Sequence, residues 1–503
     1  MTDKDEIHPS ESNDPILKSA QTERKQVFTI SLALGIGVAL IYLAFLKPGI
    51  WGIDGNDMFW VSYSLVTEGD FSTGKGIGVL GRGGEYYSIR YLLLPVLAMP
   101  FVAFGIGIGN LLGLPVRYTA TLCALVLPVL LTALTTSLVA LLALRLGSSK
   151  KSAYLAAICY AFGTTALVYS REFFAEPLLA LLTTASIYFA LGNNARQHAL
   201  SCLWAGLAIP TKPAGVVIAP LLSLYYFCKK YPWRTIIGPW MGFAMGVGIH
   251  LWYTYVRFEN SIGGAPSDRL QFKGMPQRLI GLLISPGAGG GLFWYCPPTI
   301  LAIIGFYKLY KKKPLEALLI LGVFLGYLVL HSFWAFRGWN WGPRFLVPVL
   351  PALLAVVAVL EKKWWRALII LTLIGFFWNA PTLVAYYQRY YAEAIDNARF
   401  YQVLAPAPWG PWNEAPLFNI WGATFRQLSA AFSSDVAQVL KGVGEPPAPG
   451  NIASSDLLRI VAVWWWVLPA AGIPIWVGFA IAMIMVGLGI WILRRGWINI
   501  SDQ

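Results

Sequence analysis

Long apolar stretches, parted by short polar breaks, occupy most of this chain. A bilayer core of about 30 Å is crossed by roughly twenty helical residues at 1.5 Å each. Stretches of that kind lie near 27–47, 118–145, 153–169, 175–192, 199–211, 214–228, 235–256, 292–310, 315–333, 345–360, 367–385 and 461–493. Each predicts a spanning helix, about twelve in all, and so an all-α polytopic membrane protein. A further run, Tyr91–Leu114, has two readings. If it spans, Arg145, Lys150 and Lys151 fall on the side where the first helix ends, and every later basic cluster inverts. If it lies along the outer surface or re-enters, the basic residues share one side. These are Arg24/Lys25, Arg145/Lys150/Lys151, Arg196, Lys229/Lys230/Arg234, Lys311–Lys313, Lys362/Lys363/Arg366 and Arg494/Arg495. Basic residues collect in cytoplasmic loops, so the second reading is the expected one, with both termini cytoplasmic.

That topology divides the chain. Residues 1–26 are polar, mixed in charge and expected to be a disordered cytoplasmic tail. A transmembrane module follows over 27–385, with a first external loop at 48–117. Val27–Leu46 is followed by Lys47-Pro48 and not by a small-residue cleavage site, so it reads as an anchor. Residues 386–460, with Ala405-Pro-Ala-Pro-Trp-Gly-Pro-Trp412 and Glu445-Pro-Pro-Ala-Pro449, form an external loop rich in Pro and aromatics, an ordered cap or a linker. Residues 461–503 are a last spanning helix and a short cytoplasmic tail.

Composition sharpens this picture. Of 503 residues 57% are hydrophobic and 12% charged, where a soluble domain carries about 25% charged. A net charge of +14 would suit nucleic acid, but the Lys and Arg sit in short clusters between apolar runs, and no nucleic-acid partner is expected. Cys123, Cys159, Cys202, Cys228 and Cys296 lie in or beside apolar runs without metal spacing and read as packing residues. The four histidines are too scattered for a metal site; His250 and His331 read as packing or hydrogen-bonding residues. Gly-rich Leu283–Gly291 lacks the GK[ST] of a nucleotide loop.

The external segments hold the unusual chemistry. Asp54 and Asp57, in Gly52-Ile-Asp-Gly-Asn-Asp57, directly follow the first helix. A carboxylate there can take a proton from a hydroxyl or ligate a divalent cation, and both uses stay open beside that of a solvated loop acid. Tyr169-Ser-Arg-Glu-Phe-Phe-Ala-Glu-Pro177 joins two apolar helices yet carries Arg171, Glu172 and Glu176. Such charges cost on the order of 3 kcal/mol each at the helix centre, so they usually line a polar cavity, unless an Arg–Glu pair neutralises itself. Lys212, in Pro210-Thr-Lys-Pro213, can hold a phosphate or snorkel from a helix end. Trp334-Ala-Phe-Arg-Gly-Trp-Asn-Trp-Gly-Pro-Arg344 sets Arg337 and Arg344 among aromatics, with Trp339, Asn340 and Trp341 between them. Arg binds phosphate through a planar fork and Trp faces stack on sugars; an aromatic belt with interfacial Arg is the plainer alternative.

In order and placement, these motifs resemble the GT-C glycosyltransferases, and within them the bacterial members related to protein O-mannosyltransferases and lipid A aminoarabinose transferases. The likeness rests also on Gly84-Glu-Tyr-Tyr-Ser88, Phe173-Phe-Ala-Glu-Pro177, Arg257-Phe258, Leu283-Ile-Ser-Pro-Gly287 and Trp341-Gly-Pro-Arg344, and covers roughly residues 27–385. The resemblance implies a GT-C-like helix bundle with external loops and surface helices in the cell membrane, its active site facing the periplasm or exterior. It implies inverting transfer of a sugar from a polyprenyl-phosphate donor to an acceptor hydroxyl or amine on a glycan, lipid or protein. Asp54 matches the family's base, with Asp57 as the second choice, and the acidic turn matches at Glu176. Lys212 and Arg344 are implied for the donor phosphate, and Arg171, Arg337, Trp339, Asn340 and Trp341 stand beside them as candidate donor- or substrate-binding residues. Many relatives carry two adjacent carboxylates after the first helix. Here Gly55-Asn56 separates them, which leaves open the base and whether Asp54, Asp57 and Glu176 hold a divalent metal. The rival readings are a transporter or lipid-linked glycan flippase, and another membrane transferase such as an O-antigen ligase.

Overall fold

The computed structural model describes residues 15–74, 78–259, 270–334, 338–396, 412–436, 439 and 458–500. Its helices are α1 (Pro15–Ala44), α2 (Ile53–Thr67), α3 (Leu93–Leu112), α4 (Val116–Leu146), α5 (Lys150–Gly163), α6 (Glu176–Ala190), α7 (Ala195–Thr211), α8 (Ile218–Cys228) and α9 (Trp233–Phe258). They continue with α10 (Met275–Ile284), α11 (Ala302–Lys312), α12 (Pro314–Ser332), α13 (Leu350–Val357), α14 (Trp365–Asn379), α15 (Gln388–Asp396), α16 (Pro416–Ala431) and α17 (Ile475–Ile498). Among the described residues the only sheet is a two-stranded hairpin, β1 (Val79–Leu80) with β2 (Tyr86–Tyr87). The protein is an all-α polytopic membrane protein: six of its described helical spans are long and apolar enough to cross a bilayer, including Val116–Leu146, Lys362–Leu383 and α17.

Several expected boundaries shift for local reasons. The first helix begins at Pro15, so residues 15–26 of the expected tail are helical. The run 461–493 is broken: a 3-10 segment, Trp464–Ala471, stops at Gly472, whose φ of 73° suits glycine, and Pro474 precedes α17. Pro297-Pro298 likewise splits 292–310 into a turn and α11. The Pro-rich tract Ala405–Pro411 and the Glu445–Pro449 segment lie outside the described residues.

The interior is built on α4, α6 and α13; every residue of α13 is buried, as are most of α6. Small residues set a close crossing between α7 and α9. A Cβ on Gly242 or Gly246 of α9 would lie 2.2 Å from the Cys202 carbonyl or 2.1 Å from that of Gly206 on α7, so the two helices meet at backbone distance. Apolar side chains on α9, α14 and α17, among them Met241, Leu373 and Ile484, face outward, as lipid-solvated helices require.

The two ends of the bundle differ in chemistry. At one end Lys313 donates to the Arg145 carbonyl (2.7 Å), Lys150 to Gln26 (2.6 Å) and Lys229 pairs with Glu316 (2.7 Å). The other end gathers the turns that carry Asp54, Glu176, Lys212 and Arg344. Both flanks of α3 belong to this second end: Arg90 precedes it and contacts Asp54, while Tyr118, just after it, packs with Trp51 and Tyr386. α3 folds back on the first turns of α4, where Gly105 meets Ala120 and Gly109 meets Val116.

Candidate active site

Gly52 has φ 107°, a conformation that glycine adopts freely, and turns the chain into α2. A Cβ on Gly55 would stand 2.8 Å from the Ile50 side chain, so glycine fits this tight entry. The Gly55-Asn56 spacer then has a purpose: Asp54 and Asp57 are three apart on a helix and share a face. Arg90 binds both, its Nη2 2.6 Å from Asp54 Oδ1 and its Nε 3.7 Å from Asp57 Oδ2. Arg90 is placed by the hairpin. Its backbone N–H donates to Ser88 Oγ (2.9 Å), and the Ser88 carbonyl accepts from Arg257 at the end of α9.

Three more elements converge on the other side of Asp54. Glu176 opens α6, where a carboxylate is favoured by the helix dipole. Lys212 lies between α7 and the 3-10 turn Pro213–Val217. Arg344 starts the 3-10 turn Arg344–Val349 behind Gly342, whose φ is 59° and whose Cβ position would meet the Tyr295 ring at 2.6 Å. Arg344 Nη1 donates to Asp54 Oδ2 (2.9 Å) and to Asn340 Oδ1 (3.2 Å), while its Nε donates to Glu176 Oε1 (2.8 Å). Lys212 Nζ reaches the same Glu176 oxygen at 2.6 Å, leaving Oε2 buried without a hydrogen bond. Phe174 lies under the Arg344 guanidinium at 3.7 Å and Phe345 under Lys212 at 4.3 Å.

The result is one alternating line: Asp57, Arg90, Asp54, Arg344, Glu176, Lys212. It is open at Asp54 and Arg90, whose side chains are 28% and 21% exposed, and closed at Glu176, at 1%. Burial alone would raise the Asp54 carboxyl, but Arg90 and Arg344, helped by Lys212, hold it well below the usual carboxylate range. Burial pushes Asp57 up to about 7; Arg90 opposes this and the Asp54 charge adds to it. The partly exposed Asp54 can face an acceptor hydroxyl, and the guanidiniums on both sides can hold a phosphate.

The other expected site residues are placed differently. Arg171 is fully buried outside the line. Its guanidinium donates to the carbonyls of Phe45, Thr382 (2.7 Å), Leu383 (2.9 Å) and Ala462 (2.8 Å), so it ties separate segments of the chain together. Glu172 pairs with buried Lys47, not with Arg171. Trp341 is buried, its indole donating to Asn379 (2.7 Å); Trp339 stacks between Trp51 and Tyr391. Arg337 lies outside the described residues. Asp54, Asp57 and Glu176 do not converge as a cation site; guanidiniums stand between them, and no group of three metal-ligating side chains occurs among the described residues. Arg90 escaped the sequence reading, although Ser-Ile-Arg at the mouth of an apolar run was its visible sign.

No curated protein matches the chain. Among solved structures it is similar to ArnT from Cupriavidus metallidurans bound to undecaprenyl phosphate, at 18% identity over 81% of this chain and 80% of that one, with a TM-score of 0.45. The apo form of the same protein aligns at 16% identity over 88% and 84%, with a TM-score of 0.47. The Archaeoglobus fulgidus oligosaccharyltransferase in its apo form aligns at 12% over 78% and 64%, with a TM-score of 0.46. Residues 119–227, which carry Glu176 and Lys212, match the family model of dolichyl-phosphate-mannose-protein mannosyltransferases, within the GT-C glycosyltransferases that the sequence resembles.

Proposed function

We propose that this chain is an inverting glycosyltransferase that moves a sugar from a polyprenyl-phosphate donor to an acceptor hydroxyl or amine. The family match over residues 119–227 supports the donor class. The observation that carries the chemistry is Asp54: a partly exposed carboxylate in the first turn of α2, held between two guanidiniums. The donor phosphate rests against Arg90, Arg344 and Lys212, with its prenyl tail in lipid. It competes with Asp54 for both arginines, and as they turn to phosphate, Asp54 becomes a stronger base. Asp54 then takes the acceptor proton, and the acceptor oxygen or nitrogen bonds to the anomeric carbon. The bond from that carbon to the phosphate oxygen breaks, and the polyprenyl phosphate leaves with its charge stabilised by the cations. Twelve membrane crossings, with α3 along the outer surface and both termini cytoplasmic, put this end at the periplasmic or external face of the cell membrane.

The test is transfer by purified protein, scored as release of polyprenyl phosphate from a panel of labelled polyprenyl-phosphate hexoses and pentoses. Asp54→Asn is expected to lower turnover ~10²–10⁴-fold, the range for loss of a general base, with donor affinity not weakened, since the carboxylate that competes for both arginines is gone. Near-normal turnover in that variant removes Asp54 from the role.

A further inference from the structure

We propose that α16 is an interfacial helix, seated in the lipid headgroup and acyl boundary, which through Gln427 holds the backbone at Tyr386 and Ile460 at membrane depth. The inference rests on the membrane nature of the bundle and stands apart from the sugar chemistry. α16 has three faces. One is buried against the protein through Leu417, Ile420, Ala423 and Gln427. A second carries Phe418, Trp421, Phe425, Leu428 and, just past the helix end, Phe432, spaced by three and four so that they form one stripe. Phe418, Phe425 and Phe432 are exposed by 40%, 63% and 77%. The third is polar, with Arg426 paired to Glu393 at 2.6 Å and Ser433 exposed.

What covers the stripe is indicated by where its ends lie. Phe418 meets Trp378 at 5.8 Å and Trp421 meets Phe377 at 5.1 Å, both at the end of α14. Phe432 meets Trp466 at 5.3 Å, and its neighbour Trp465 meets Phe479 of α17 at 5.4 Å. The stripe therefore continues the outward apolar sides of two helices that are long and apolar enough to span. Phe377 is 52% and Phe479 48% exposed, as surfaces that face lipid. A helix with an apolar stripe, a polar edge and aromatic ends is suited to the interface plane. α16 is also coupled to the site: Gln427 Nε2 donates to the Ile460 carbonyl (2.8 Å), and its Oε1 accepts from the Tyr386 backbone N–H (3.0 Å). Tyr386 packs with Trp51, three residues before Asp54.

The test places spin labels on cysteines introduced as Phe425→Cys, Phe432→Cys and Ser433→Cys in the full chain. The background is Cys228→Ser, which removes the exposed native thiol, and the protein is held in nanodiscs of phosphatidylethanolamine and phosphatidylglycerol. Labels at 425 and 432 are expected to collide with oxygen and be shielded from a water-soluble nickel chelate, with the reverse at 433. Nickel access at 425 and 432 equal to that at 433 overturns the proposal in favour of a solvated face. Shielding from both reagents overturns it in favour of a protein partner or a second copy. Because each substitution is at an exposed position, folding is checked by monodispersity before labelling.

Discussion

Arg344 links two carboxylates and an amide through one guanidinium, and its neighbours make its loss readable. If it holds the donor phosphate, Arg344→Ala weakens binding of polyprenyl phosphate itself by roughly 1.5–3 kcal/mol, the range for hydrogen bonds to charged groups. Arg344→Lys recovers only part, since an ammonium keeps the charge and loses the fork. Lys212→Ala acts in the same direction. Unchanged affinity in folded, monodisperse protein, with only lower thermal stability, returns both residues to a structural pairing with Glu176. Asp57 gives a pH signature. Asp54 is held ionised throughout the working range, whereas Asp57, raised mainly by burial to about 7, gains its charge as pH rises through that value. Ionised Asp57 draws Arg90 from Asp54 and adds negative charge beside it, and both effects make Asp54 more basic. Turnover is therefore expected to climb between pH 6 and 8, and that step is absent in Asp57→Asn; a profile unchanged by the substitution rules the coupling out.

At the scale of elements, the candidate site consists of helix ends, and Arg171 anchors one of them, the turn before α6 that leads to Glu176. Its guanidinium joins the end of α1 (Phe45), the turn after α14 (Thr382, Leu383) and the segment before α17 (Ala462) to the turn before α6. Arg171→Met keeps the volume but leaves those carbonyls without their donor, and removes a buried cation close to Glu172. We expect a loss of roughly 3–5 kcal/mol, the scale for breaking a buried charged network, read as a lower unfolding temperature in detergent. Affinity for polyprenyl phosphate in the folded fraction should stay near the parent value. A selective loss of that affinity at unchanged stability would instead put Arg171 in the donor site. Charge at a helix boundary marked this residue correctly as costly, but the same cost is met by a ligand or by carbonyls. Only the fold tells these apart.

For the molecule as a whole, the two ends of the bundle make opposed claims on the membrane. α4 has 31 residues, about 46 Å at helical rise, more than the hydrocarbon thickness of about 30 Å. Its first turns, against which α3 folds, thus have length to spare beyond the core. If α3 lies along the outer surface, reporters fused after Leu114 and within Gly147–Lys151 fall on opposite sides of the membrane, the first external and the second cytoplasmic. Both reporters on one side, or the two reversed, would require a different course for α3 and α4.

The sequence by itself determined the solvent and the helix class, because apolar length is a local property read directly along the chain. It also exposed Asp54, Glu176, Lys212 and Arg344, since a charge beside an apolar run is costly wherever it stands. The tertiary structure decided which charges meet. Asp54 and Arg344 are 290 positions apart, and no spacing rule reaches that far. Arg90 joined them only because a short hairpin, pinned by Arg257, turns the first loop back over α2, while Arg171 was drawn to backbone carbonyls instead. The aromatic tract before Arg344 became packing around Tyr391 and Asn379, and the exposed stripe of α16 took its meaning from the two membrane helices at its ends. Partner choice among buried charges is settled by three-dimensional proximity and by the desolvation each must offset, and neither is written in the local sequence.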